Sequence, residues 1–325
     1  MPEHRDTAAS ARLAPAHPFA ACVEARGMVV VDGALATELE ARGADLADPL
    51  WSARLLLEQP DLIRQVHADY FDAGADVAIA ATYQATVEGF AARGVDAERA
   101  GDLMRLAVSL ACEARDAWLA THDIGPSRAR PLVAASVGPY GAFLADGSEY
   151  RGDYQLDEDA LVAWHATRFA WLADSDADLL ACETIPCGAE ARAMLRLLDA
   201  NPQARAWISF SARDAAHIAS GERFDALAAL VGAHRQVVAV GINCTAPAHV
   251  AGLLRAARAS TAAPLITYPN SGETYDAVSK RWSRPMTCAP YADYAREWRT
   301  AGAIAIGGCC RTTPADIEAI VRQLT

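Results

Sequence analysis

The sequence predicts a single-domain α/β fold, a (β/α)8 TIM barrel, on three observations. Short Val/Ile/Ala/Leu runs recur eight times along the 325 residues. Segments with apolar residues at helical spacing lie between them. Polar and reactive residues follow the runs, as expected of a fold whose active sites sit at the carboxyl ends of its strands.

In chain order, residues 28–31 form the first run and lead into Asp32-Gly33. Residues 76–80 lead into Thr82-Tyr83-Gln84, and residues 132–136 into Gly138-Pro139-Tyr140-Gly141. The fourth run, 178–182, precedes Glu183-Thr184; the fifth is 206–210. Residues 237–241 precede Cys244, 264–268 precede Pro269-Asn270-Ser271-Gly272-Glu273, and 303–306 precede Cys309-Cys310. Each run is short and apolar throughout, the pattern of a parallel strand buried on both faces.

The intervening segments read as helices. Residues 61–73 carry Leu62, Val66 and Tyr70 on one face, and 102–120 carry Leu103, Leu106, Leu110 and Leu119. Residues 157–172 open with an acidic turn, which favours a helix N-terminus. Thr313-Pro314-Ala315-Asp316 supplies an N-cap threonine and a proline at the first helical position. Strict alternation of strand and helix implies a parallel sheet with right-handed crossovers. A doubly wound open sheet is the rival, but no Gly-x-Gly-x-x-Gly follows the first run.

An apolar content of 52% with 22% charged residues fits a globular protein with a sizeable core. The formal net charge of −12 argues against a nucleic-acid partner. No apolar run approaches the roughly 20 residues that span a bilayer, so no membrane partner is expected. Residues 1–20 are Ala-rich, contain Pro15 and Pro18, and lack the apolar stretch of a signal peptide; they are expected to be a flexible tail or short lead-in helix. Residues 21–325 form the barrel domain. The spacing of the eight cysteines suggests no disulfide framework, and a cytoplasmic setting follows. Oligomeric state leaves no mark in the sequence.

Three of those cysteines carry the functional argument. Cys309 and Cys310 follow the eighth run and Cys244 follows the sixth, each through a Gly-rich turn. If those strands are neighbours, the three sulfurs converge at the carboxyl edge of the sheet. Three thiolates with a vacant fourth position describe a catalytic zinc site rather than a closed structural one. Such a site is electron-rich, poorly suited to making hydroxide, and suited to capturing an incoming thiol as a nucleophilic thiolate. The matching reaction is alkyl transfer to sulfur, for which a sulfonium is a good donor.

Asp32-Gly33-Ala34-Leu35-Ala36-Thr37-Glu38-Leu39, Gly241-Ile242-Asn243-Cys244 and Gly307-Gly308-Cys309-Cys310-Arg311-Thr312 resemble the signatures of the zinc-dependent homocysteine S-methyltransferases. Ser136-Val137-Gly138-Pro139-Tyr140-Gly141, the stretch from Leu144 to Gly152 and Tyr268-Pro269-Asn270-Ser271-Gly272-Glu273 resemble the branch that uses S-methylmethionine. The resemblance covers nearly the whole chain outside the tail. It implies a barrel, a zinc ion held by Cys244, Cys309 and Cys310, and methionine formation from homocysteine. It also implies that Asp32, the Gly33 backbone and Glu183 hold the homocysteine amino group, which wants convergent carboxylate acceptors. Tyr83 and Gln84 would lie close to the pocket, with the Tyr83 ring face open to a sulfonium. Asn243 and Asn270 are further polar contacts, Asn243 alternatively supporting the zinc site from behind. Residues 140–154 would form a lid.

The bland readings are specific too. Cys309 and Cys310 could be small core residues or a vicinal redox pair, and Asp32 a turn residue. Cys22, Cys112, Cys182, Cys187 and Cys288 are read as inert, Cys182 being turned away from Glu183 by strand alternation. No histidine has metal-ligand spacing, and His165, His217, His234 and His249 are expected on helix surfaces. Other acceptors (a selenol amino acid), other donors (S-adenosylmethionine, a betaine) and a zinc sensor or storage protein without turnover remain open.

Overall fold

Each predicted run becomes a strand in the structure, a computed structural model that describes residues 17–46, 50–276, 281–283 and 291–324. Cys288 and the first part of the expected tail lie outside the described residues. The barrel strands are β1 (Val29–Val30), β2 (Val77–Ala80), β3 (Leu132–Val137), β4 (Leu179–Ile185), β5 (Ala206–Phe210), β6 (Val237–Asn243) and β7 (Leu265–Tyr268). A hairpin, β8 (Thr274–Asp276) and β9 (Arg281–Ser283), precedes the last barrel strand, β10 (Ala303–Ile306). The sequence shows no apolar run at this hairpin.

All barrel neighbours pair in parallel, from β2 in sequence to β7, then to β10 and β1. A bridge between Val31 and Val77 closes the ring, with the Asp32 amide donating to the Val77 carbonyl at 2.9 Å and the Asp76 amide to Val30 at 2.7 Å.

Strand alternation sorts the core into two layers. Val29, Val31, Val77, Leu132, Ala134, Leu179, Ala181, Trp207, Ile266 and Ala305 fill the barrel interior. Val30, Val133, Ala135, Leu180, Cys182, Ile208 and Ile306 face the surrounding helices. Cys182 is thus turned away from Glu183, as expected. β6 passes so close to β7 that a Cβ on Gly241 would lie 1.7 Å from the Ile266 carbonyl oxygen, which admits only glycine. The helix Pro18–Arg26 begins within the expected tail; its Phe19 and Cys22 join the inner cluster and close the amino-terminal end.

Element ends differ modestly from expectation. The long helix runs Ala97–Leu119 because the Asp96 side chain caps it by accepting from the Arg99 amide; its polar first turn hides the start. β4 continues to Ile185 through a register shift, so Glu183 and Thr184 belong to the strand. Among the described residues no helix is long and apolar enough to cross a membrane.

His165 needs correction. It lies in the helix Glu158–Ala173 but is fully buried rather than on the helix surface. Arg168 Nη2 donates to its Nδ1 at 3.1 Å, so Nε2 carries the proton and donates to Glu190 Oε1 at 2.8 Å. Burial pushes the His165 imidazole down to about 4, leaving it neutral between a guanidinium and a carboxylate. Glu190 also accepts from the Tyr140 amide (2.7 Å) and the Tyr154 hydroxyl, the two ends of the segment expected to be a lid. Arg168 donates to the carbonyls of Gly138 and Tyr83. One buried Arg168–His165–Glu190 network therefore ties two carboxyl-face loops, those after β2 and β3, to the helices beneath them. Glu190→Ala strands the Arg168 charge and is expected to lower unfolding free energy by about 3–5 kcal/mol in urea denaturation, with Glu190→Gln losing less. An unchanged midpoint would show that the network contributes nothing.

Candidate active site

The carboxyl ends of β1, β2, β4, β6, β7 and β10 open into one cavity of about 470 Å³, large enough for small-molecule substrates. Cys244, Cys309 and Cys310 stand together on its wall. Their Sγ atoms all lie within 4.8 Å of one another, with Cys244 to Cys310 at 3.5 Å and Cys309 to Cys310 at 4.0 Å. These separations bracket the edge of roughly 3.8 Å expected for sulfurs around one tetrahedral ion with bonds near 2.3 Å. The donor set fits a metal.

Backbone geometry aims the thiols. Cys244 sits at φ +44°, a left-handed conformation that a non-glycine side chain adopts at a cost and that recurs at functional sites. Its amide donates to the Tyr268 carbonyl at 3.2 Å. The Cys309 amide donates to Pro269 at 2.8 Å, and the Cys310 carbonyl accepts from Ser271 at 3.1 Å. Thr312 turns back through its amide and hydroxyl to the Cys309 carbonyl, at 3.0 and 2.7 Å.

Crowding sets the charge of the cluster. Hydrogen bonds from Cys309 and Cys310 hold the Cys244 thiol well below its ordinary value. That thiolate in turn pushes Cys309 and Cys310 well up. Without a cation the cluster therefore stabilises one thiolate and resists three.

Two carboxylates are buried at the ends of β1 and β4: Glu183 lines the cavity, and next to Asp32 it is Gly33 that does. Asp32 is 1% exposed; its Oδ2 accepts from the Ile79 amide at 2.9 Å, and its Oδ1 has no partner among the described residues. Burial first, then the charge of Glu183, pushes its carboxyl well up. Glu183 accepts from the Ser136 hydroxyl, and burial raises it to about 7. Gly33, Tyr83 and Gln84 line the same cavity. The Gln84 amide nitrogen donates to Ala142 at 2.9 Å.

Asn243 and Asn270 are placed differently from the expectation of substrate contact; neither lines the cavity. Asn243 is fully buried: its Oδ1 accepts from the Thr184 amide (2.7 Å) and Ser209 Oγ (2.9 Å), while Nδ2 donates to Thr184 Oγ1 at 2.7 Å. It fixes Thr184 at φ +59° and so holds the Glu183-Thr184 strand end. Asn270 Oδ1 accepts from the Gly272 amide at 2.9 Å, an Asx turn.

The structure adds residues that sequence reasoning left in a general lid. The segment folds as a helix, Tyr140–Leu144, and a 3-10 turn, Ser148–Tyr150, and brings Glu149 and Tyr150 into the cavity wall. Tyr150 Oη lies 3.2 Å from Cys244 Sγ. Tyr268, from β7, also faces inward, its hydroxyl 2.6 Å from Ser209 Oγ and accepting from Trp207 Nε1 at 2.8 Å. Aromatic residues inside apolar runs carry no distinct signal, so the sequence does not mark Tyr268 as a wall residue.

Fold and site define a (β/α)8 enzyme with a thiolate cluster suited to a metal ion. The family model described as homocysteine S-methyltransferase matches residues 29–324. The homocysteine S-methyltransferase of Escherichia coli (strain K12) is 52% identical over 305 residues, 94% of this chain and 97% of the relative. Homocysteine S-methyltransferase YbgG of Bacillus subtilis (strain 168) is 49% identical over 304 residues, 94% of this chain and 96% of the relative. The crystal structure of the homocysteine methyltransferase MmuM from Escherichia coli in its metallated form superposes with a TM-score of 0.85 at 48% identity, covering 94% of this chain and 100% of that one. The chain belongs to the homocysteine S-methyltransferase family.

Proposed function

We propose that this protein moves a methyl group from a sulfonium donor, S-methylmethionine, to the thiol of homocysteine, with zinc held by Cys244, Cys309 and Cys310. One observation carries the reading. Thiols and carboxylates line the cavity, and among the described residues no Lys, Arg or His does. A cationic donor entering such a cavity gains attraction, and an anionic one does not.

Zinc, held by Cys244, Cys309 and Cys310, would lower the proton affinity of an acceptor thiol below its usual pKa of about 8.5 and leave it nucleophilic. Soft thiolate ligands favour zinc over the hard divalent cations. The chain's own residues do the rest. Asp32 Oδ1, the Gly33 backbone and Glu183 receive the homocysteine ammonium, whose hydrogen bonds and charge satisfy two carboxylates that burial otherwise disfavours. The Tyr83 ring offers its face to the sulfonium. A bond forms between the homocysteine sulfur and the methyl carbon as the carbon–sulfonium bond breaks, its electron pair passing to the donor sulfur. Thiolate and cation become two neutral thioethers, and the partly closed cavity favours that loss of charge.

Methionine formation from homocysteine with S-methylmethionine, S-adenosylmethionine and glycine betaine, each offered to zinc-loaded protein, tests the reading. S-methylmethionine is expected to give the highest kcat/KM. One zinc per chain with no methionine from any donor would instead indicate a sensor or storage protein.

A further inference from the structure

The methyl-transfer reading, on which the following rests, brings two amino acids and hence two ammonium groups into one cavity. Asp32 and Glu183 answer one of them. A second set of acceptors lines the same cavity: Glu149 Oε2 and Gln84 Oε1 are both buried, and neither has a hydrogen-bond partner among the described residues. They reach the cavity from different loops, Gln84 after β2 and Glu149 after β3. They are linked, because the Gln84 amide nitrogen donates to Ala142 in the helix that precedes Glu149.

Glu149 is held in place rather than hanging in solvent. Ser211 Oγ donates to its carbonyl at 2.7 Å. Gly141 packs against its amide so closely that a Cβ there would lie 2.5 Å from the nitrogen. Tyr83, the ring assigned to the sulfonium, lines the same cavity; burial first, then the charge of Glu149, pushes its phenol up. Burial raises Glu149 itself to about 7, as for an acceptor still lacking its donor. A sulfonium has no N–H and cannot satisfy either oxygen; an ammonium brings three donors. A buried acceptor left unpaired is costly, so a ligand that pairs it gains affinity.

We propose that Glu149, with Gln84, is the specificity-determining subsite for the α-ammonium of the methyl donor, selecting sulfonium amino acids over simpler sulfoniums.

The test compares S-methylmethionine with its desamino analogue, (3-carboxypropyl)dimethylsulfonium, in calorimetric binding to zinc-loaded wild type and Glu149→Gln, alongside steady-state kinetics. The substitution is expected to weaken S-methylmethionine binding about tenfold or more, to leave binding of the analogue unchanged, and to leave the KM for homocysteine unchanged. Equal losses for donor and analogue, or a loss confined to homocysteine, overturns the assignment. So does wild-type turnover with unaltered parameters in Glu149→Gln, which removes the subsite while sparing the methyl-transfer reading. Wild type that neither binds S-methylmethionine nor makes methionine from it removes both.

Discussion

Cys310→Ala is expected to lose bound zinc and methionine formation together, with turnover falling by more than a hundredfold. Loss of a residue that merely supports a metal ligand already reduces affinity or activity by about 10–100-fold, and loss of a ligand exceeds that. The fold should survive, because Cys310 holds its neighbours through its backbone carbonyl, which alanine retains, and its side chain is only half-buried. Far-UV circular dichroism with metal analysis separates the two effects. Cys187→Ala is the internal control: that thiol is buried and pushed up to about 11 by burial, away from the cluster, and its loss should leave zinc and turnover unchanged. Full zinc content in Cys310→Ala would exclude the three-thiol site.

Asp32→Asn should impair binding and improve stability at once. One charge-assisted hydrogen bond to an ammonium is worth about 1.5–3 kcal/mol, so the KM for homocysteine is expected to rise roughly tenfold to a hundredfold. Stability moves the other way for a linkage reason. A carboxyl whose folded pKa is raised binds its proton more tightly folded than unfolded, so folding becomes less favourable as pH rises from the unfolded value toward the folded one. Asp32 is raised well above its ordinary value, and Glu183 is raised to about 7. The substrate-free protein should therefore lose thermal stability between about pH 4 and 7, and Asp32→Asn should reduce that loss. A thermal midpoint that falls in the variant at pH 7 would mean that the Ile79 hydrogen bond outweighs desolvation of the charge.

Most of the barrel was legible because its strands are buried on both faces and so read as uninterrupted apolar runs. Strand order and the closure at Val31 and Val77 follow from parallel crossovers, which the alternation of elements already implied. The thiols were legible because Cys309-Cys310 and Cys244 follow such runs. What stayed hidden was hydrogen-bond partnership. Nothing in the sequence says that Asn243 uses its amide on Thr184 and Ser209, or that His165 bridges Arg168 and Glu190 across two helices. Apart from His165 and Arg168, neighbours on one helix, those pairings join residues 25 or more positions apart, where periodicity carries no information. Glu149 was likewise hidden inside a loop whose Gly and Tyr content suggested a lid and gave no direction for any one side chain.

The three-thiol cluster, loaded with zinc, is expected to be what permits methyl transfer to homocysteine. The most direct test of this uses methyl-labelled S-methylmethionine with chelator-stripped protein and zinc added back in steps. Labelled methionine should be absent from stripped protein and return in proportion to zinc, saturating at one ion per chain. Labelled methionine at full rate from protein free of metal would contradict it.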